Sequence, residues 1–248
     1  MRLKFSGSRV LILGGTCELA LCLAEYLIKA QLYPVLSCRN KNGRQQIESS
    51  LSAFKEKFET VYLDLNDADS IKSIFSQNNQ PDYLVDFAQS NLESLIASES
   101  SYDINRYFAE NISFRAEIIK TAARGMLKKR RGRLIFISSA AALRPNPGQG
   151  FYAAAKLASE ALYKNLGLEM RNKGITTVSL RPGYINAGRG KNFIKQNKKI
   201  TRAIPVKRAI EPCEVAETIL FLLSESARSF NAVEITMDGG MSAGKLIL

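Results

Sequence analysis

The sequence predicts an α/β fold: one domain built on a doubly wound parallel sheet of about seven strands, with helices on both faces. Three observations carry that expectation. Short apolar, β-branched runs alternate with longer stretches of helical spacing along all 248 residues. Several of those runs are apolar almost throughout, as strands are when helices cover both sheet faces. No linker, repeat or low-complexity stretch breaks the alternation, so residues 1–248 read as a single domain with one sizeable core.

Each element follows in order. "RVLIL" makes Arg9–Leu13 the first strand, and Leu19, Leu23 and Leu27 give 17–30 the spacing of a helix. Strands are expected over 34–38, 60–63 and 83–87, with a helix over 68–77 before the last of these. Helical spacing then covers 103–128, a strand 133–138, a helix 151–173 and a strand 176–181. Residues 184–209 lack a clear pattern and read as a substrate lid. A helix over 212–224 and the strand Val233–Met237 close the chain. Right-handed crossovers between such strands make the sheet parallel, and ligands then sit beyond its carboxyl edge, where the strand order reverses.

Composition narrows the chemistry. There is no histidine, and Cys17, Cys22, Cys38 and Cys213 show no metal-ligand spacing, which excludes a zinc site and a histidine-based triad. The cysteines read as small buried thiols. Catalysis is left to Tyr, Ser, Lys or carboxylates. No apolar run approaches the roughly 20 residues of a membrane span, and the apolar run before Gly14 is too short for a signal-peptide core. A cytoplasmic protein is expected. The net charge of +12 is concentrated in 124–133, with six basic residues, and 189–208, with eight; neither segment contains an acid. Such fields attract acidic proteins and phosphorylated molecules. No recognition motif accompanies them, so nucleic acid is not the expected partner.

The sharpest constellation is Ser139, Tyr152 and Lys156. In "FYAAAKLASEAL", Tyr152 and Lys156 stand four apart on one helix face, and Ser139 ends the strand "RLIFISS" at the carboxyl edge. On spacing alone, a Tyr-x-x-x-Lys pair is an ordinary solvated helix face. The serine at the strand end and the glycines after the first strand change that. A free tyrosine has a pKa near 10, and a lysine one turn away favours its phenolate and brings it toward the working range. A serine hydroxyl beside it can bind a carbonyl oxygen and stabilise the charge developing there.

These residues resemble the catalytic signature of the classical short-chain dehydrogenases/reductases, and the likeness runs over nearly the whole chain. Ser139 stands thirteen residues before Tyr152, and Asn111 in "FAENISFRAEIIKTA" matches the family's fourth catalytic residue. "RPGYI" and "ITMDGGMSA" resemble the turns after its last two strands. Within the family, "GMLKKRRGRLIFISS" and "PGQGFYAAAKLA" are most similar to 3-oxoacyl-acyl-carrier-protein reductases and polyketide ketoreductases. The resemblance implies a Rossmann-type domain in which Tyr152 donates the proton, Ser139 holds the carbonyl oxygen and Lys156 grips the nicotinamide ribose. It also implies that Asn111 keeps a water that links Lys156 to solvent. Cofactor contacts carry over to Gly14, Thr16, Glu18, Leu19, Arg39, Asp64, Leu65, Ala88, Tyr152, Lys156, Pro182, Gly183 and Ile185. Arg39, with no acid at the end of the second strand, points to NADPH over NADH.

Three stretches depart from the family pattern. Glu18 and Ala20 replace two glycines of the first turn, Asp86-Phe87-Ala88-Gln89 stands for Asn-Asn-Ala-Gly, and Ala187 replaces a threonine. A carboxylate at 18 opposes a diphosphate unless it points away or finds a partner. The expected function is NADPH-dependent reduction of a 3-oxoacyl thioester on an acidic acyl carrier protein, with Arg130 and Lys173 matching the family's carrier-docking positions. Two alternatives stay open: a reductase of a free small-molecule carbonyl, and a weakly catalytic or non-catalytic subunit paired with an active homologue. The family resemblance further implies a homo-oligomer, dimer or tetramer, through the Tyr-Lys helix and the last strand, with a hetero-oligomer as the alternative.

Overall fold

A computed structural model describes residues 3–64, 67–75, 80–197 and 199–244. Seven strands form one parallel sheet in the order β3-β2-β1-β4-β5-β6-β7. They are β1 (Arg9–Leu13), β2 (Tyr33–Cys38), β3 (Glu59–Tyr62), β4 (Tyr83–Asp86), β5 (Gly132–Ile137), β6 (Ile175–Pro182) and β7 (Val233–Met237). The order reverses between β1 and β4, whose register pairs Leu13 with Asp86 at the carboxyl edge. That crevice is where a doubly wound sheet binds its ligand.

Alternation along each strand splits the core in two. Val10 and Ile12 face one way, against Leu23 and Leu27 of α1 (Glu18–Lys29), Ile47 of α2 (Lys41–Ser50) and Ile219 of α9 (Pro212–Leu223). Leu11 and Leu13 face the other, against α3 (Ala68–Ile74), α5 (Phe114–Lys129) and α6 (Gly150–Glu169). The doubly wound sheet with helices on both faces therefore stands as expected from the sequence.

The differences lie in the helices. α2 was hidden because Ile47 is its one buried side chain, which leaves no apolar stripe; its signal is Asn40, which accepts the Gly43 N–H at 2.8 Å as N-cap. The helix expected over 103–128 is α4 (Ser101–Phe108), a π-helical turn at Ala109–Ser113, then α5. The unpatterned 184–209 carries α7 (Gly188–Gln196) and α8 (Lys199–Ala203). These are too short and too polar to give a period. No helix among the described residues is long and apolar enough to cross a membrane.

Candidate active site

Three strand ends converge on the carboxyl edge. After β5, Ser139 opens a short 3₁₀ turn and its hydroxyl accepts the Ala141 N–H at 3.1 Å. Tyr152, half-buried on the first turns of α6, has its phenol near enough to the Ser139 hydroxyl for that group to lower its pKa. One turn on, Lys156 is 3% exposed and its Nζ donates to the Ile137 carbonyl at 2.7 Å. The same Nζ lies 5.6 Å from the Tyr152 ring centroid and 4.8 Å from that of Phe136. The structure thus brings Ser139, Tyr152 and Lys156 together at the carboxyl edge.

Burial dominates its electrostatics. Burial raises the Tyr152 phenol above its ordinary value, and the Ser139 hydrogen bond, Arg189 and Arg115 pull the other way. Burial also pushes the Lys156 ammonium down to about 7, helped by the Arg115 charge. Burial thus disfavours the charged form of Lys156, while Arg189 and Arg115 favour the phenolate of Tyr152.

Asn111 sits in the π-helical turn, fully buried. Its Nδ2 donates to Ser90 Oγ at 2.6 Å and to the Tyr107 carbonyl at 2.8 Å, and its Oδ1 accepts the Ser90 N–H at 3.1 Å. Its carbonyl accepts from Arg115 Nη1 and from Ser159 Oγ, the latter at 3.4 Å. The Asn111 carbonyl is therefore held by a guanidinium and a hydroxyl.

Beside this cluster lies the first turn. Gly14 has φ +72°, and a Cβ there would come within 3.0 Å of the Ala88 backbone nitrogen. Its N–H donates to Ser37 Oγ at 3.0 Å, and Gly15 N–H to the Ser37 carbonyl at 3.0 Å. The turn is thereby closed onto β2, and α1 begins at Glu18 without a side-chain cap. Open N–H groups at that helix start are an anion site. Burial raises the Cys17 thiol, so it adds no negative charge there.

Comparison with known proteins gives the family. A family model described as enoyl-(acyl carrier protein) reductase matches residues 18–242. The 3-oxoacyl-[acyl-carrier-protein] reductase FabG of Buchnera aphidicola subsp. Acyrthosiphon pisum (strain APS) is 30% identical over 236 residues, 93% of this chain and 95% of that protein. A solved short chain dehydrogenase/reductase family protein is 25% identical with a TM-score of 0.86, covering 98% of this chain and 100% of its own. The chain belongs to the short-chain dehydrogenase/reductase family. ElxO, solved as a variant with NADPH bound, has the same fold at 23% identity and a TM-score of 0.87, over 96% of this chain and 100% of its own.

As a short-chain dehydrogenase/reductase, the protein is an oxidoreductase that uses NAD(P)H, and its own residues fit such a cofactor. The Gly14 cradle admits backbone approach and the α1 start is open. Gln89 Oε1, in the loop that backs Gly14, is buried with no hydrogen-bond partner, an acceptor available to a ligand; its Nε2 donates to the Tyr107 hydroxyl at 2.9 Å. Exposed Arg39 directly follows β2, with Lys41 and Arg44 next in the first turn of α2. Thr16 lies under α2, its carbonyl accepting from Gln46 Nε2 at 2.9 Å. Leu19 is in the first turn of α1, and the Asp64 backbone is held by Ser70 Oγ at 2.9 and 3.1 Å. Leu65 lies outside the described residues. Pro182 ends β6, Gly183 packs against Asp238, and Ile185 bridges to Ile210.

The departures from the family pattern have partners. Glu18 Oε2 accepts the Gly188 N–H at 3.0 Å, at the start of α7, so the carboxylate is directed to a helix N-terminus. Ala187 is the N-terminal neighbour of that helix and makes no cap. Asp86 is paired at 2.7 Å with Arg115 Nε; their side chains are 1% and 3% exposed. Arg115 also donates to Ser159 Oγ at 3.0 Å and to the Ala88 and Asn111 carbonyls. Sequence reasoning missed Arg115, Arg189 and Glu93. Only the simultaneous change to Asp86 and presence of an arginine at 115 hinted at the first.

Arg130 and Lys173 lie at the opposite edge of the sheet. Arg130 follows α5 and precedes β5, Lys173 precedes β6, and Arg130 Nη2 lies 3.4 Å from the Asn172 carbonyl. A six-residue strand separates that edge from Ser139, a span of about 20 Å.

Proposed function

We propose that this protein is an NADPH-dependent ketoreductase that reduces a 3-oxoacyl thioester, carried on acyl carrier protein, to the 3-hydroxyacyl form in a fatty-acid or polyketide type of synthesis. The observation that carries the reading is the Ser139–Tyr152–Lys156 cluster at the carboxyl edge, beside the Gly14 turn. When bound, the cofactor supplies the hydride. Ser139 holds the carbonyl oxygen and Tyr152 gives it the proton. Lys156, fixed to the Ile137 carbonyl, presents its remaining donors to the ribose, and Asn111 fixes the loop at Ser90. Arg39, with Lys41 and Arg44, supports NADPH over NADH, since guanidinium and ammonium groups suit a 2′-phosphate.

Residues 184–209 act as a lid over the acyl group in this reading, and their lysines and arginines suit a phosphate-bearing arm. Because Arg130 and Lys173 sit about 20 Å from the chemistry, a carrier docked on them delivers its arm along the flank of the subunit or to a neighbouring copy. A groove between α5 and α6, lined by Ile119, Ala123, Leu127, Leu162, Leu166 and Met170, supports a homo-oligomer.

The test is NADPH oxidation followed by absorbance, with an acetoacetyl group on carrier protein or on coenzyme A. Turnover of both is expected, with the carrier substrate preferred. Reversing charge at Arg130 and Lys173 should cut kcat/KM for the carrier substrate by about tenfold and leave the coenzyme A substrate unchanged. No oxidation of NADPH with either substrate contradicts the reading, and equal rates insensitive to the reversal contradict carrier docking.

A further inference from the structure

The segment after β6 reaches the proposed acid through one residue. Glu18 Oε2 holds the Gly188 N–H, tying the start of α7 to the start of α1. One position on, the Arg189 guanidinium lies over the Tyr152 ring, 5.9 Å from its centroid. Its Nη1 donates to Asn91 Oδ1 and stands 3.5 Å from Glu93 Oε1, both in the loop after β4. The phenol is thus flanked by a buried amine from its own helix and a guanidinium from another.

The two cations are not equivalent. Lys156 is buried, and its ammonium form is disfavoured there. A guanidinium is a permanent cation by its chemistry. The pairing of Arg189 with Glu93 is open to water and holds it weakly in energy while fixing its place. A permanent positive charge facing a phenol favours the phenolate.

We propose that Arg189 is a positioning residue for Tyr152: the Glu18–Gly188 and Arg189–Asn91/Glu93 contacts strap α7 across the site and set a fixed cation against the phenol ring. Proton donation is then tuned by the closed segment. This rests on Tyr152 as the proton donor in the function proposed above, and not on the identity of the acyl substrate.

Among the described residues, the charged and titratable groups around the phenol are Lys156 on α6, Arg115 on α5, Tyr107 on α4, Glu93 in the loop after β4 and Arg189 on α7. Of the cations, Arg115 is locked to Asp86 and Lys156 to the Ile137 carbonyl. Arg189 is the one whose removal leaves the buried network whole.

Tyrosine carrying carbon-13 at Cζ, titrated by NMR, reads this directly, with the Tyr152 resonance identified by its loss in Tyr152→Phe. Arg189→Met should raise the Tyr152 midpoint by about one pH unit. Glu93→Gln should lower it, and Arg189→Lys should hold it near the wild-type value. A midpoint unmoved by both Arg189→Met and Glu93→Gln overturns the proposal. In turnover, reduction needs the protonated phenol, so the alkaline limb of kcat should follow the same displacement. A limb that stays fixed while KM alone rises would assign Arg189 to substrate binding and overturn it too. Failure to reduce acyl thioesters would sink the substrate reading, while the phenol titration still decides this one.

Discussion

Lys156 concentrates the physical tension of the site. A lysine that is 3% exposed, with its ammonium pushed down to about 7 by burial and by Arg115, is carried at a cost to folding. The sign follows from proton binding: between about 7 and the ordinary 10.5 the unfolded chain holds the proton and the folded one does not. Below that window the native state bears the full desolvation penalty, and above it the penalty is gone. Lys156→Met should therefore unfold at a higher temperature than wild type at pH 6, with the advantage shrinking as pH rises through 7 toward 10.5; thermal melts across pH check it. The Arg115–Asp86 pair makes a second test. Arg115→Met leaves a buried carboxylate unpaired and should cost about 3–5 kcal/mol in denaturant unfolding, whereas Arg115→Met with Asp86→Asn should recover most of it. Ser139, Tyr152 and Lys156 were legible because a helical turn and a strand end fix their geometry locally. Arg115 and Asp86 were not, since 29 positions separate them and no local period links them.

Among the elements, α2 and the π-helical turn set what the sequence concealed. One buried residue, Ile47, is too little to reveal a helix, yet α2 places Lys41 and Arg44 beside Arg39. Asn40→Ala should remove the N-cap and cost about 1 kcal/mol of stability, read in denaturant unfolding. Arg39→Asp should exchange a phosphate clamp for a hydroxyl acceptor and reverse the preference between NADPH and NADH, measured by the affinity of each. The expected unbroken helix over 103–128 hid the wide turn at Ala109–Ser113, which buries Asn111. Apolar spacing carries on through such a turn, so period alone does not mark it. α7 was lost for the opposite reason: no residue of it is buried.

The whole molecule has a functional edge and a structural edge. The strands were readable as apolar runs, because buried parallel strands are apolar on both faces, but that same uniformity hid which residues face which core. At the amino edge, Asp82 joins the N-terminal segment to α5 and β5. Burial raises its carboxyl, but the Ser8 and Arg9 amides and the Arg131 and Lys129 side chains outweigh that and hold it at about 2. A carboxylate depressed from 3.8 stabilises the fold above that value and loses its contribution as pH falls through about 2. Asp82→Asn should thus be less stable than wild type at neutral pH, with the gap closing below pH 4 in acid unfolding.

The central claim is that the altered first turn still grips a nicotinamide cofactor, with Glu18 turned to the start of α7 rather than to the diphosphate. Thermal unfolding of the wild-type protein against increasing NADPH and NADH tests it most directly. NADPH at about one hundred times its Kd should add roughly 2.7 kcal/mol of stability, and NADH at the same concentration should add less. A melting temperature unmoved by either cofactor would contradict the account.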